Sequence, residues 1–176
     1  MKLYNMREQL KGGKHGEELF DQLCPEYIPR PSFDMSYDRI ISHPHPNSLL
    51  DSRRTKIEVK ADYYKTGNVC IEAFSKHGEN IYKGGPWRAS DADADIVYIF
   101  PNLYTLYWFD SDALCEYIDS NTGGYKRTKM ARNSGGGYSE GYIIPLNELE
   151  ILNLTIEKSN FSSGARTIER LNGKLI

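Results

Sequence analysis

The pattern of apolar and polar residues divides the chain into a helical beginning and a long series of strands. Leu19, Phe20 and Leu23 share one face at helical spacing, which predicts a helix over residues 15–24. A shorter helical piece is predicted over residues 5–11, with a Gly-Gly pair interrupting the two. The first part of the chain is therefore predicted to form two short helices.

Alternation with a period of two, the pattern of strands, dominates the middle of the chain and is strictest in the second predicted strand. The predicted strands cover residues 33–41, 55–62, 69–74, 95–100, 104–109 and 142–144. Helices are predicted at 111–118, with Asp110 or Ser111 as the cap, and at 145–152. Helix, strands and helix in this order predict an α/β (α+β) class, with a central mixed β-sheet flanked by helices.

The 176 residues suffice for a single domain. We expect its core at about residues 14–119. A glycine-rich basic loop is predicted over residues 120–141, and a strand and helix extension over residues 142–176. Residues 42–54, with their His-Pro repeats, are expected to form a loop between two strands.

Composition narrows the class of protein. Hydrophobic residues make up 39 % of the chain, enough for a core, and no apolar run approaches the length of a membrane span. The first residues contain no apolar signal segment, so a cytoplasmic setting is expected. Three scattered cysteines disfavour a disulfide framework or a zinc site.

No phosphate-loop motif occurs, and no nucleotide cofactor is expected. The net charge of −2 neither indicates nor excludes nucleic-acid binding.

The candidate chemistry begins in the strictest of the alternating segments. Ile57 and Val59 are expected to point into the core, while Glu58 and Lys60 stand side by side on the other face. A carboxylate can ligate Mg²⁺, and a neighbouring ammonium can orient a water or stabilise charge on a phosphate oxygen. The same alternation is also typical of a solvated strand face, which is the alternative interpretation.

A second carboxylate is needed to hold Mg²⁺ well. Asp38 lies 20 residues before Glu58, near the end of the preceding predicted strand. If the two strands pair as a hairpin, Asp38 approaches Glu58, and the two carboxylates leave coordination sites for water and a scissile phosphate. The sequence therefore predicts a metal site at Asp38 and Glu58.

Asp38, Glu58-Val59-Lys60 and the Thr-Gly-Asn-Val-Cys-Ile-Glu stretch over residues 66–72 together resemble the PD-(D/E)XK nuclease superfamily. The chain looks most like small phage and prokaryotic members related to Holliday-junction resolvases and restriction endonucleases. The resemblance covers about residues 14–110 and implies a restriction-endonuclease-like core. It also implies that Asp38 and Glu58 bind Mg²⁺ or Mn²⁺ and that Lys60 assists the nucleophile.

The same resemblance adds two acids to the candidate catalytic set. Glu17 matches an acid on the first helix, and Glu72, in what resembles the third core strand, could orient water or metal. Each has a plainer explanation. Glu17 in the first turn of a helix favours the helix dipole. Glu72 shares a strand face with Cys70 and Phe74, where burial of an unpaired carboxylate would be costly.

Two basic segments are candidate nucleic-acid contacts. The predicted mobile loop carries Lys126, Arg127, Lys129 and Arg132. A turn over residues 83–88 would present Trp87 and Arg88 to a base or a groove. The alternatives are a solvated loop and a Trp87 side chain packed in the core.

The expected function is an Mg²⁺- or Mn²⁺-dependent deoxyribonuclease, an endonuclease that hydrolyses phosphodiester bonds in DNA. A homodimer is compatible with this function, because cutting both strands often uses two sites. The alternatives are a catalytically inactive nucleic-acid-binding module and a phage-type protein-binding inhibitor on the same fold. The form of the substrate, branched, double-stranded or single-stranded, is left open, and RNA is an alternative to DNA.

Overall fold

The computed structural model describes residues 4–29, 37–41, 56–132, 137–152, 154–162 and 165–169. The strands in chain order are β1 (Tyr4–Asn5), β2 (Tyr27–Pro29), β3 (Arg39–Ile41), β4 (Lys56–Ala61), β5 (Asn68–His77), β6 (Asn80–Lys83), β7 (Ala94–Phe100), β8 (Thr105–Phe109), β9 (Lys126–Arg132), β10 (Tyr138–Pro145), β11 (Thr155–Ser162) and β12 (Ala165–Glu169). The helices are α1 (Met6–Leu23), α2 (Gly85–Asp91), α3 (Ser111–Ser120) and α4 (Leu146–Ile151).

A seven-stranded mixed sheet forms the centre, in the order β12-β11-β8-β7-β4-β3-β2. Strands β4 and β7 pair in parallel, and the other neighbours pair antiparallel. A parallel pair requires a crossover, and the chain makes it through β5, β6 and α2. Every residue of β7 is buried, as expected of a central strand covered on both faces.

Helix α1 covers one face of this sheet. Phe20 and Leu23 pack with Ile57 and Val59 of β4 and with Trp108 of β8 in one buried cluster. The predicted inward direction of Ile57 and Val59 is thereby confirmed. Burial of this apolar stripe is the main attraction between the helix and the sheet.

A second, five-stranded sheet lies on the other side, in the order β1-β9-β10-β5-β6. Val69 and Ile71 of β5 and Ile144 of β10 form a buried cluster with Tyr98 and Phe100 of β7. The predicted α/β class with a mixed sheet flanked by helices is confirmed at this level. Among the described residues, no helix combines the length and apolar character needed to cross a membrane.

The predicted interruption of the first helix at its glycines is wrong, because α1 runs unbroken through them. A Cβ at Gly12 would lie 3.0 Å from the Tyr63 ring, and one at Gly16 would lie 2.4 Å from the Ala61 Cβ. Residues four apart share one helix face. These glycines therefore allow α1 to approach the sheet closely rather than ending the helix.

Two further predictions need correction. Residues 126–132 of the predicted loop over 120–141 form strand β9, which pairs antiparallel with β10. The strand predicted at 69–74 forms as part of β5, but it belongs to the five-stranded sheet and not to the central sheet, where the resemblance to a third core strand implied it. Both errors concern pairing between distant segments, which local alternation does not encode.

Most of the remaining predicted elements agree with the structure, but β10 starts at Tyr138, within the predicted loop, and β3 starts only at Arg39. Helix α3 begins at Ser111 with Asp110 as its cap, whose side chain accepts bonds from Asp112 N and Ala113 N. Strands β4, β7 and β8 and helix α4 lie where predicted. The loop predicted at 42–54 and the first residues of the strand predicted at 33–41 lie outside the described residues.

We expect Gly16→Ala to lower the free energy of unfolding by about 1–3 kcal/mol, because its methyl group collides with Ala61 and displaces the helix. Gly13→Ala is the matched control. A Cβ at Gly13 meets nothing within 4 Å, so that change should stabilise α1 by about 0.5–1 kcal/mol. Urea unfolding of both variants measures the difference. Equal stability of the two would contradict the close approach of α1 to β4.

Candidate active site

Glu58 and Lys60 stand side by side on β4, as the alternation predicted. Their face of β4 is opposite the one that carries Ile57 and Val59, which pack under α1. The Lys60 ammonium forms an ion pair with Glu58 Oε1. Glu58 is 2 % exposed, whereas the Lys60 side chain is 31 % exposed. A solvated strand face would not bury a carboxylate in this way.

Asp38 reaches this pair through the predicted hairpin, which the antiparallel pairing of β3 with β4 confirms. Its backbone N–H donates to Ile57 O at 2.8 Å, and its Oδ2 accepts a bond from Val59 N at 2.8 Å. Asp38 is therefore fixed on both sides of Glu58, to Ile57 through its backbone N–H and to Val59 through its carboxylate.

The electrostatic environment of Asp38 disfavours its charge. Burial, together with the negative charges of Glu58 and Glu17, raises the pKa of Asp38 to about 6. The Lys60 ammonium and the Val59 N–H oppose this increase without cancelling it. Two carboxylates thus face each other under mutual repulsion, an arrangement that a cation would relieve.

Lys60 remains a cation within this cluster. Burial acts to lower its pKa, but the charges of Glu58 and Asp38 and the hydrogen bond to Glu58 act more strongly in the other direction. The pKa of Lys60 therefore lies above its usual value. The side chain can donate hydrogen bonds and stabilise negative charge, but it is not a free base near neutral pH.

Arg88 contributes a second cation, from a helix rather than from the predicted turn over residues 83–88. Its Nη2 donates to Glu58 Oε1 at 2.9 Å, so this oxygen accepts from both Lys60 and Arg88. The Arg88 side chain is 41 % exposed. Its buried Nε–H has no acceptor among the described residues, which leaves this guanidinium incompletely satisfied.

Two glycines bring α2 onto the site. A Cβ at Gly84 would lie 1.7 Å from Glu72 O, and one at Gly85 would lie 2.8 Å from Lys60 Cε. Pro86 then occupies the first turn of the helix, where its missing N–H costs nothing. This Gly-Gly-Pro sequence is a helix-start signal that could have predicted α2 and the position of Arg88.

Glu17 lies in the middle of α1, not in a first helical turn, since the helix begins at Met6. Its carboxylate bonds Arg39 Nη1 at 3.1 Å, and Asp21 bonds Arg39 Nε at 2.6 Å. Arg39 is 6 % exposed. Glu17 is thus engaged with Arg39, and its charge also raises the pKa of Asp38.

Sequence reasoning overlooked Arg39. It follows Asp38 directly, so alternation turns it toward α1, where a buried arginine requires anionic partners. Glu17 and Asp21 are four residues apart and therefore share a helix face. That spacing could have predicted that both carboxylates bind Arg39.

Glu72 lies on β5, in the other sheet. After burial and the influence of Cys70, its negative charge is among the causes that raise the pKa of Tyr98. Tyr98 is the register partner of Lys60 across β4 and β7. Glu72 is therefore an electrostatic neighbour of the site, whose core consists of Glu58 in contact with Lys60 and Arg88. Asp38 is bound to Val59 N beside them and interacts electrostatically with Glu58 and Lys60.

The other predicted nucleic-acid contacts lie apart from this core. Lys126, Arg127 and Lys129 are exposed on β9, and the Arg132 backbone ends that strand opposite Tyr138. The predicted Trp87 contact is partly buried: its ring packs against the core, and its Nε1 donates to Asp119 Oδ2 at 3.2 Å. The packed alternative therefore describes Trp87 better than a presented ring.

Within the described ranges, no group of three or more His, Cys, Asp or Glu side chains is arranged to hold a metal ion. Asp38 and Glu58 supply two carboxylates. No protein-family model, curated protein or solved structure matches the chain significantly.

We expect Asp38→Asn to raise the free energy of unfolding near neutral pH by about 1–3 kcal/mol. Between its ordinary pKa of 3.8 and its folded-state pKa of about 6, Asp38 holds a proton in the folded state that the unfolded state has released, and above about 6 it is charged in both states. Its stabilising contribution is complete below the lower value and is lost as the pH rises through about 6. Asparagine keeps an acceptor for Val59 N without the charge.

Urea unfolding near pH 4 and near pH 7 measures this difference, which should appear only at the higher pH. Glu18→Gln, which changes a half-exposed carboxylate on α1, is the control and should show no such trend. A loss of stability in Asp38→Asn at both pH values would contradict the assigned repulsion.

Proposed function

We propose that the chain is a metal-dependent nuclease of the PD-(D/E)XK kind that hydrolyses phosphodiester bonds in DNA. The observation that carries the proposal is the convergence of Asp38, just before β3, with Glu58 and Lys60 of the adjacent β4, with Glu58 buried. This combination is unnecessary for an ordinary strand face and suits phosphoryl chemistry. The three residues belong to a mixed sheet flanked by helices, a class of fold that is compatible with a nuclease.

The residues suit a hard divalent cation. Asp38 and Glu58 offer carboxylate oxygens, the ligands that Mg²⁺ and Mn²⁺ prefer, and the raised pKa of Asp38 reflects a repulsion that such an ion would remove. We assign these two residues as the ligands. When bound, the ion would supply Lewis-acid stabilisation of the phosphate and a more acidic water.

The cations of the site have complementary tasks in this proposal. Lys60, rigidly placed beside Glu58 and still 31 % exposed, orients the attacking water or stabilises charge on the phosphate oxygen. Arg88, which donates to Glu58 through Nη2 alone, contacts the substrate phosphate with its other guanidinium donors. Glu17 holds Arg39 and thereby fixes β3, the strand that follows Asp38.

The rival function is a nucleic-acid-binding module that does not cut. One observation favours it: Lys60 and Arg88 already neutralise Glu58 Oε1, as they would in a purely structural ion cluster. The two functions differ in a measurable way, since the nuclease must nick DNA in a manner that depends on these carboxylates. A chain that binds no nucleic acid at low salt would instead favour a protein-binding inhibitor.

We expect the wild-type protein to nick supercoiled plasmid in Mn²⁺ or Mg²⁺ and to be inactive in EDTA. Asp38→Asn, Glu58→Gln and Lys60→Gln should each reduce the nicking rate by at least about 100-fold, because each removes a group acting at the reacting phosphate. Glu18→Gln should leave the rate unchanged. Gel quantification of nicked and linear product measures the effect.

Full activity in both carboxylate variants would show that the site is assigned wrongly. An inactive wild type that still binds DNA would favour the non-cutting module. Melting curves of all variants separate loss of chemistry from loss of fold, which matters most for buried Glu58.

We expect Arg88→Gln to bind Mn²⁺ more tightly than wild type while nicking DNA more slowly. Removal of the guanidinium leaves more negative charge on Glu58, which favours the ion, but it also removes a donor to the phosphate. Isothermal calorimetry measures Mn²⁺ affinity. Affinity should also rise with pH through about 6, because the proton on Asp38 must leave before the ion binds.

Lys83→Gln is the control for this measurement. Lys83 is a cation just before α2, but it pairs with Asp91 and not with Glu58. Its loss should not change the affinity for Mn²⁺. Weaker Mn²⁺ binding by Arg88→Gln would mean that Arg88 supports the metal site structurally rather than competing with the ion.

A further inference from the structure

The outer face of the five-stranded sheet carries mainly aromatic and cationic residues. Register places Lys129, Glu140, Phe74 and Lys83 in one row across β9, β10, β5 and β6. A neighbouring row contains Tyr138, Lys76 and Ile81. Cross-strand partners project from the same side of a sheet. We call these residues and Arg127 the aromatic–basic face.

The rings of this face are associated with cations. The Phe74 and Tyr138 rings meet edge to face, with centroids 6.1 Å apart. The Arg127 guanidinium lies 5.0 Å from the centre of Phe74, and the Lys129 ammonium lies 5.2 Å from the centre of Tyr138. Each ring is therefore flanked by a positive charge.

The face is also positive, and it is exposed around the half-buried rings of Phe74 and Tyr138. Arg127 bonds Glu140, and Lys83 bonds Asp91, which leaves the charges of Lys76 and Lys129 in excess. The side chains of Arg127 and Lys83 are 51 % and 61 % exposed, and Ile81 is 66 % exposed. In a chain with net charge −2, this concentration of cations is local.

We propose that the aromatic–basic face binds a single strand of DNA, an inference that rests on the proposed nuclease function and specifies its substrate. Phe74 and Tyr138 offer rings on which unpaired bases stack, while Arg127, Lys129 and Lys76 hold the phosphates. A duplex hides its base faces and cannot use the rings in this way. The excess of positive charge favours a polyanion over an apolar protein surface.

The face leads toward the candidate active site. Phe74 is two residues from Glu72, whose carbonyl oxygen a Cβ at Gly84 would strike, and a Cβ at Gly85 would strike the Lys60 side chain. Lys83, at the end of β6, immediately precedes this glycine pair. A strand lying on the face therefore reaches the N-terminus of α2, next to Lys60. The preferred substrate would carry a single-stranded segment beside the cleaved bond.

Fluorescence anisotropy with a labelled oligothymidylate tests the proposal, in EDTA so that binding is measured without metal-dependent cleavage. We expect tighter binding to this strand than to a blunt duplex of equal length. Phe74→Ala and Tyr138→Ala should each weaken binding at least about fivefold. Lys129→Gln should reduce the slope of log affinity against log salt by about 0.7.

Matched variants outside the face control for effects of losing any exposed ring or cation. Tyr104→Asn removes a 62 % exposed ring from the turn before β8, at a positive φ that asparagine tolerates. Lys14→Gln removes an 80 % exposed cation from α1. Both should bind like wild type. Phe74→Leu keeps an apolar side chain but lacks a ring, so it should lose affinity even if Phe74→Ala unfolds.

Equal affinity for duplex and single strand, undiminished binding by Phe74→Leu and Tyr138→Ala, or no binding at all would overturn the proposal. Tighter binding to oligouridylate would assign the face to RNA and overturn it as stated. Because the assay contains no divalent cation, these outcomes are independent of nicking. Cleavage without single-strand binding would refute the face alone, and binding without cleavage would refute the nuclease alone.

Discussion

The buried carboxylate of Glu58 is the constraint around which the central part of the molecule is arranged. An ionised group that is 2 % exposed is tolerated only when it is paired, and here Oε1 accepts from Lys60 of the same strand and from Arg88 of α2. To deliver Arg88, α2 must approach β4 closely, which the glycine pair at its start allows. The crossover between the parallel strands β4 and β7 is therefore also the route by which the second cation reaches Glu58.

The opposite face of the same strand carries the apolar half of the fold. Ile57 and Val59 pack under α1, and Gly16 lets the helix approach Ala61. The buried Arg39 then connects α1 to β3 through Glu17 and Asp21. Because β3 also follows Asp38 directly, packing of α1 and placement of the first carboxylate depend on one another. Substitutions in the α1 interface are thus expected to alter the placement of Asp38 even where the substituted residue does not contact the site.

Much of this arrangement was predictable from local pattern. Period-two alternation identified β4 and separated Glu58 and Lys60 from Ile57 and Val59, and the hairpin pairing then brought Asp38 to them. The rest depends on contacts between distant segments. Nothing local assigns β5 to a second sheet, pairs β1 with β9, or turns a glycine-rich basic stretch into a strand. The glycines of α1 were wrongly predicted to interrupt the helix for the same reason. Glycine is favoured both where a helix ends and where a helix packs closely against another element.

Burial of Glu58 also argues against the solvated strand face, which alternation alone leaves open. A solvated strand face would keep both charged side chains in water at little cost, and neither would need a partner from another element. Here a carboxylate is buried and bound by two cations, with Asp38 held beside it against electrostatic repulsion. A fold gains nothing from keeping two like charges together when an amide would accept the same bond from Val59 N. Such an unfavourable arrangement is better explained by a ligand that both carboxylates bind than by the stability of the sheet.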